Sequence, residues 1–412
     1  MIRYNEEQLM MRDMFRKFLQ KELEPIRDEL EVNGVPPYEF IRKLYAHLGL
    51  GEMAAAKFHK QIEQEKAVVL GKAEVKKPRD HSFNQNRATA TAAQGLLITE
   101  LAKYGLGIIT SLGVSTGLTY SAIMNKGTIA QKEKWALPLA TFEKVGAWAI
   151  TEPGSGSDAF GAMQATASRS ADGGYILNGN KTFITNGPYA DTIVFICKLK
   201  EDGVEPAQRK ILSFIIDKGM PGLTQSKPFK KMGIMSSPTG ELFLDSVEVG
   251  PERLIGETEE AEVRSGAKKT FTQERTGMAY SSLGIVQECL ERCVRYAKER
   301  VQFGQPIGSH QLIQEKIARM EVARINLQNM VFRLIEYAGY GYEISLAEAS
   351  AIKLYSARIA TEVAMEAVQL HGGNGYMTEF RVEQLARDAK VQQIYAGTDE
   401  IQISAIAREL LA

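Results

Sequence analysis

Two regions of this 412-residue chain carry residues whose types and spacing could do chemistry. The first is 271-FTQERTGMA-279, where Glu274 and Arg275 stand side by side near the start of a helical pattern. A carboxylate there could act as a general base, or it could be a helix-terminus acid favoured by the macrodipole or half of an ion pair with Arg275. The second region joins 151-TEPGSGSDAFGA-162 to 181-KTFITNG-187. A Gly/Ser-rich loop brings backbone amides and hydroxyls close to a polar ligand. Phe183 and Thr185, two apart on a strand, add an aromatic surface and a hydroxyl donor on one face, a combination that could bed a flat heterocycle. Gly154 and Gly156 give only G-x-G, with no third glycine and no βαβ context, which argues against a Rossmann site. His47, His59, His81, His310 and His371 lack metal-ligand spacing, so no metal is expected. His371, ahead of Gly372 and Gly373, reads as packing or a phosphate contact rather than catalysis.

The elements that must position these residues follow from periodicity. Residues 1–143 read as helical, opening with Asn5 and Gln8 as a capping box and with Met11, Met14, Phe15 and Phe18 on one apolar face before Pro25. Residues 88–124 form a long, apolar, small-residue segment that suits a closely packed buried helix. Residues 57–87, Lys-rich with Lys72, Lys76, Lys77 and Arg79 and broken by Pro78, read as a solvated surface excursion. Between 144 and 257 the period becomes 2, with runs 192-TIVFICKL-199 and 211-ILSFIID-217. Asp172-Gly173, Asn178-Gly179, Asn186-Gly187 and Pro221-Gly222 punctuate them as turns, giving a small antiparallel β-domain. From 258 to 412 helical periodicity returns, with Leu283, Val286, Leu290, Val294 and Ala297 on one stripe. The expected class is α+β, mainly α: an N-terminal helical domain, a central antiparallel β-domain and a C-terminal four-helix bundle.

Composition excludes several function classes. Lys+Arg 50 balances Asp+Glu 50, which removes the basic footprint of a nucleic-acid binder. Cys197, Cys289 and Cys293 show no C-x-x-C or zinc spacing and read as buried thiols in a reducing compartment. No secretory pattern opens the chain and no uninterrupted apolar run reads as long enough to span a bilayer, so a cytoplasmic protein without a membrane span is expected.

From about residue 88 onward the chain resembles the acyl-CoA dehydrogenase family of flavoproteins. The resemblance rests on TEPGSGSD, KTFITNG, 231-KMGIMSSPTGELFLDSVEV-249, 300-RVQFGQPI-307, 369-QLHGGNGY-376 and 387-RDAKVQQIYAGTDEIQ-402, in that order. The usual Pro-x-x-Tyr-Gly-Gly segment is missing, and the Lys-rich stretch occupies its place.

The resemblance implies non-covalent FAD between the β-domain and the C-terminal bundle. It assigns Trp148, Ile150, Thr151 and Ser157 to the isoalloxazine or the thioester end of the substrate, and Phe183 and Thr185 to the flavin. It assigns Arg300, Gln302, Phe303, Gln311, Gln369, Gly372 and Gly373 to the adenosine and pyrophosphate of a neighbouring subunit's cofactor, and Thr398 and Glu400 to cofactor contacts from the same chain as the base. Ser157, Thr272, Arg275, Tyr395, Ala396 and Gly397 are implied substrate contacts. Ala396 stands where the family often carries its catalytic glutamate. The backbone N–H at that position, which binds the thioester carbonyl in the family, survives the change. Glu274 matches the base of the isovaleryl-CoA and long-chain acyl-CoA branches, which commonly pair it with Ala or Gly in the YxGT motif. Asp399 and Glu400 lie beyond the flavin-facing turn. The implied activity is α,β-dehydrogenation of an acyl-CoA in fatty acid metabolism, with electrons passed to an electron-transfer flavoprotein by a homotetramer built as a dimer of dimers. A flavin oxygenase or oxidase on the same fold, and an inert FAD-binding assembly protein, are the alternatives.

Overall fold

The computed structural model describes residues 3–72, 81–260 and 263–412. Helix α1 (Glu6–Glu22) begins at the expected capping box: the Gln8 N–H donates to the Asn5 side chain, and the Asn5 N–H to the Gln8 side chain. It buries Phe15, Phe18 and Leu19, whereas Met14 is 45% exposed. Leu19 therefore takes the place expected for Met14, because the inward face is set by the helices α1 packs on. Helix α2 (Tyr38–Leu48) ends at Gly49, whose φ of 63° lets α3 (Leu50–Val69) start at once in a new direction. The expected surface excursion is thus helical as far as Val69, and Phe58 and Ile62, one turn apart, anchor it in a core with Ile123 and Trp135. Lys76, Lys77, Pro78 and Arg79 lie outside the described residues.

The apolar stretch 88–124 is divided between α4 (Gln85–Ala102) and α5 (Gly107–Lys126) rather than forming one helix. Gly105 breaks it with a φ of 150°. That φ strains any L side chain, and a Cβ at Gly105 would also come within 2.9 Å of both Gln384 Nε2 and Glu31 Oε1, so this crossing favours glycine. At 20 residues α5 is, contrary to expectation, long and apolar enough by length and composition to cross a membrane. Its polar groups instead bind the sheet: the Gly146 N–H donates to Ser115 Oγ at 2.9 Å, and Asn186 Nδ2 to the Ser111 carbonyl at 2.9 Å.

The sheet has the order β1-β4-β2-β3-β7-β6, with β5 on the other edge of β4. Its strands are β1 (Gly146–Ala149), β2 (Thr166–Arg169), β3 (Tyr175–Thr185), β4 (Thr192–Leu199), β5 (Ile211–Asp217), β6 (Leu223–Gln225) and β7 (Thr239–Val249). The sheet is mixed, not antiparallel throughout, because β1 and β2 both run parallel to β4. Gly146–Ala149 pair with Thr192–Phe195 and Thr166–Ala167 with Lys198–Leu199, so β1 and β2 lie end to end along one edge of β4. The TEPGSGSD segment is therefore a loop thrown out of an interrupted strand line. β4, buried along its whole length, reads as an unbroken apolar run for that reason. Asn178-Gly179 makes no turn. It lies inside β3 at a register shift, where a Cβ on Gly179 would come within 2.6 Å of the Ala165 Cβ.

The C-terminal region is built on α6 (Val263–Glu299), α7 (Gln311–Tyr340) and α8 (Leu346–His371), with α9 (Val382–Val391) and α10 (Asp399–Leu410) packed on α8. Leu283, Val286, Cys289, Cys293 and Ala297 of α6 are buried in the largest core, together with Leu327, Val331 and Ala360. Between α6 and α7 a small hairpin pairs β8 (Val301–Gln302) with β9 (Gln305–Pro306).

Candidate active site

Glu274 lies about three turns inside α6, beyond the reach of the terminal dipole, which fades within the first turn. Among the described residues it forms no ion pair with Arg275, which is 6% exposed and donates from Nη1 to Ser350 Oγ at 2.9 Å. Neither structural role expected of a carboxylate in this position applies to Glu274. Burial pushes its carboxyl up to about 7, with Arg275 and Lys353 pulling partly the other way.

The charge of Glu274 reaches Tyr395, in the turn Tyr395–Gly397, where φ is 56° at Ala396 and 88° at Gly397. Gln402 holds the turn from inside, its Nε2 donating to the Ala396 carbonyl at 3.1 Å and the Gly397 carbonyl at 2.8 Å. With both carbonyls turned inward, the Ala396 N–H finds no acceptor among the described residues. At Gly397 the φ of 88° strains any L side chain, and a Cβ there would also crowd Gln402 Nε2 at 2.7 Å, so this turn favours glycine. Burial raises the Tyr395 phenol, and the negative field of Glu274 adds to that rise. Lys353, from α8, donates to the Gly397 carbonyl at 2.8 Å.

The other wall is the loop and strand of the sheet. Lys181 Nζ, fully buried, donates to the Ile150 carbonyl at 3.0 Å and to Glu152 Oε1 at 2.8 Å. Glu152 in turn accepts the N–H groups of Gln164 (2.6 Å) and Ala165 (3.0 Å), closing the neck of the loop. The Thr182 N–H donates to the Thr151 carbonyl at 2.9 Å. At the tip, Gly154, Gly156 and Ser157 are exposed, and no atom lies within 4 Å of a Cβ built at either glycine. Phe183 is 68% exposed with a φ of 57°, at the bulge where β3 shifts register against β7. The bulge holds its ring out from a strand whose neighbours Thr182 and Ile184 are buried, and Thr185 stands half-buried on the same side. Trp148 on β1 meets Phe271 of α6 edge to face at 6.0 Å, joining this wall to the helix of Glu274.

An exposed aromatic face, a hydroxyl beside it, open glycine backbone and a free N–H suit the ring system of a flavin, and the residues present fit FAD. The residues that the resemblance assigns to the nucleotide lie elsewhere. Arg300, Gln302, Gln311, Gln369, Gly372 and Gly373 are exposed, as is Phe303 at 93%. At about 1.5 Å per helical residue, Arg300 is on the order of 40 Å along α6 from Glu274, so these groups do not converge on Glu274 within one chain. Thr398 caps α10 by accepting the Ile401 N–H. Glu400 is exposed, and its own backbone N–H and Thr398 hold its carboxyl low. Thr272 is half-buried, its carbonyl accepting Thr276 Oγ1 at 3.1 Å. His371 stacks on Tyr296 at 4.3 Å, with Nδ1 2.8 Å from the Ala367 carbonyl, which is packing rather than a phosphate contact. Asp399 is buried and accepts Arg358 Nε at 2.9 Å. Among the described residues no group of three or more His, Cys, Asp or Glu is placed to hold a metal ion.

Sequence reasoning passed over Lys353, Ser350, Gln402 and the Lys181–Glu152 pair. One signal was available for Lys353: it shares the inward face of α8 with Ala349, Ser356 and Ala360.

Family models for the N-terminal, middle and C-terminal domains of acyl-CoA dehydrogenase match residues 5–59, 147–247 and 265–411. The chain is 35% identical to an acyl-CoA dehydrogenase of Bacillus subtilis over 98% of each chain. It is 33% identical to a 3-(aryl)acrylate reductase of Clostridium sporogenes over 99% of each. Among solved structures, the butyryl-CoA dehydrogenase of Megasphaera elsdenii superposes with a TM-score of 0.83 at 33% identity, covering 100% of this chain and 99% of that one.

Proposed function

The chain belongs to the acyl-CoA dehydrogenase family, and from that premise we propose that it oxidises an acyl-CoA to the trans-2-enoyl-CoA with Glu274 as the base. The observation that carries this reading is that Glu274, a carboxyl pushed up to about 7, acts on the Tyr395–Gly397 turn, whose Ala396 N–H finds no acceptor among the described residues. An α-proton of a thioester is weakly acidic, and a base with a pKa near the working pH removes it best. The Ala396 N–H binds the thioester oxygen and stabilises the charge that develops there as the proton leaves. Bound FAD supplies the acceptor for the hydride that leaves the β-carbon. Phe183, Thr185, Trp148 and the loop from Ile150 to Ser157 hold its ring system. Arg300, Gln302, Phe303, Gln311, Gln369, Gly372 and Gly373, far from Glu274 in their own chain, serve the nucleotide of a second copy in a homotetramer. Electrons pass to an electron-transfer flavoprotein. Three buried, unpaired cysteines accord with a reducing cytoplasmic setting.

Anaerobic titration of the FAD-loaded protein with a panel of acyl-CoAs, including 3-arylpropionyl thioesters, tests the reading through flavin absorbance. Wild type bleaches with at least one member, and Glu274→Gln binds that thioester without bleaching. Undiminished bleaching in the variant sinks the assignment of the base. Rapid reoxidation of the reduced flavin by oxygen would favour an oxidase instead.

A further inference from the structure

Lys353 is wholly inside the protein, 0% exposed. An ammonium loses several kcal/mol of hydration on such burial, so its surroundings must offset that loss. Two groups receive it: the Gly397 carbonyl at 2.8 Å and Asp399 Oδ1 at 3.6 Å. Asp399 does not neutralise the site, because its other oxygen binds Arg358 Nε at 2.9 Å. Arg358, Asp399 and Lys353 together leave one net positive charge.

Within the turn a neutral donor is already present: Gln402, fully buried, donates to the carbonyls of both Ala396 and Gly397. What Lys353 adds is a tie from the Gly397 carbonyl to α8 and a positive charge whose field reaches Glu274. Among the described residues, the charged and titratable groups that act on Glu274 are Arg275 from its own helix, Lys353 from α8 and Tyr395 from the turn. Lys353 itself faces Asp399, Arg275 and Glu274.

We propose that Lys353 is a positioning residue of the reaction: its ammonium ties the Tyr395–Gly397 turn to α8, keeping the Ala396 N–H directed at the thioester, and its charge favours the carboxylate form of Glu274. The assignment rests on Glu274 being the base. It makes one buried side chain responsible for both the donor and the acid of the site, which lie on different segments.

The test is the pH dependence of flavin bleaching by a saturating acyl-CoA, measured on FAD-loaded wild type, Lys353→Gln, Lys353→Met and Asp399→Asn. Lys353→Gln keeps a donor for the Gly397 carbonyl and loses the charge. Its profile moves about one pH unit to the alkaline side, roughly a tenfold slower rate at a fixed acidic pH, while the alkaline plateau stays near wild type. Lys353→Met loses both, so its plateau also drops about tenfold to a hundredfold with little change in KM. Asp399→Asn leaves the ammonium less compensated and moves the midpoint to the acid side. A merely structural lysine would lower stability and flavin content without moving midpoints in opposite directions. An unmoved midpoint in FAD-loaded Lys353→Gln overturns the proposal. If that variant does not fold, Asp399→Asn decides, an acid shift supporting the role and an unmoved or alkaline midpoint overturning it. Bleaching that survives in Glu274→Gln removes the base itself, a different failure from unmoved midpoints in the Lys353 and Asp399 variants.

Discussion

Lys181 and Glu152 meet 2.8 Å apart with both side chains buried, directly beneath the loop that interrupts the strand line along β4. The pair clamps both ends of that loop, through the Ile150 carbonyl on one side and the Gln164 and Ala165 N–H groups on the other. Removing one partner leaves an uncompensated buried charge, so Lys181→Met should lose about 3–5 kcal/mol of stability. Denaturant unfolding and the ratio of flavin to protein absorbance should fall together, and Glu152→Gln added to Lys181→Met should recover much of the stability. A loss below 1 kcal/mol would mean that the pair behaves as a surface bridge and clamps nothing.

The pH dependence of the reductive step follows from Glu274. With its carboxyl pushed up to about 7, the base form is scarce in acid and complete above neutrality. The rate of anaerobic bleaching should therefore climb with pH through a midpoint near 7 in the free enzyme. Stopped-flow measurement between pH 5.5 and 9 reads this directly, as a fall of about tenfold per unit on the acid side. A flat profile would separate proton removal from Glu274.

Phe183 offers a test of the flavin face that does not depend on turnover. Its exposed ring, held at a positive φ, contributes little to the protein without cofactor. Phe183→Ala should change the unfolding free energy of apo-protein by less than about 0.5 kcal/mol, because little packed area is lost. FAD dissociation should become about tenfold easier, since an aromatic pair contributes about 0.5–1.5 kcal/mol beyond its area. Equal FAD affinity in the two proteins would move the flavin off this strand.

Away from the site, Glu31 accepts from Ser236 Oγ at 2.5 Å, and Asp388 accepts the Ile234 N–H at 2.6 Å. Burial, with Asp388 nearby, pushes the Glu31 carboxyl from 4.5 up to about 8. Because the folded state holds this proton more tightly than the unfolded chain, the associated stability is full below about 4.5 and is lost as pH rises through about 8. Glu31→Gln keeps a neutral partner at the junction of α4, the sheet and α9. It should gain on the order of 1–3 kcal/mol over wild type at pH 8.5 and little at pH 5, as denaturant midpoints at the two pH values would show.

Local signals in the chain survive contact with the structure where the partner is close in sequence. The Asn5/Gln8 capping box and the β4 and β5 runs are of this kind. What fails depends on distant partners. Nothing near residues 146–149 or 166–169 says that both strands will line up along Thr192–Leu199, so the parallel pairing was not legible. Asn178-Gly179 has the chemistry of a turn and the role of a bulge, because Ala165 of a neighbouring segment needs the space a side chain would fill. The motif around Glu274 singled it out as a candidate base, which stands as a proposal. For Lys353 the pattern shows only a shared inward face with Ala349, Ser356 and Ala360, not the carbonyl 44 residues further on that receives it.

The proposed donor at Ala396 belongs to the main chain, while the proposed base belongs to a side chain on another helix. Every residue except proline supplies that N–H, so position 396 can change without disarming the proposed chemistry, within the small set of residues that a φ of 56° tolerates. On that proposal, the side chain at the turn and the group that removes the proton are carried by separate segments, so a change at one leaves the other in place.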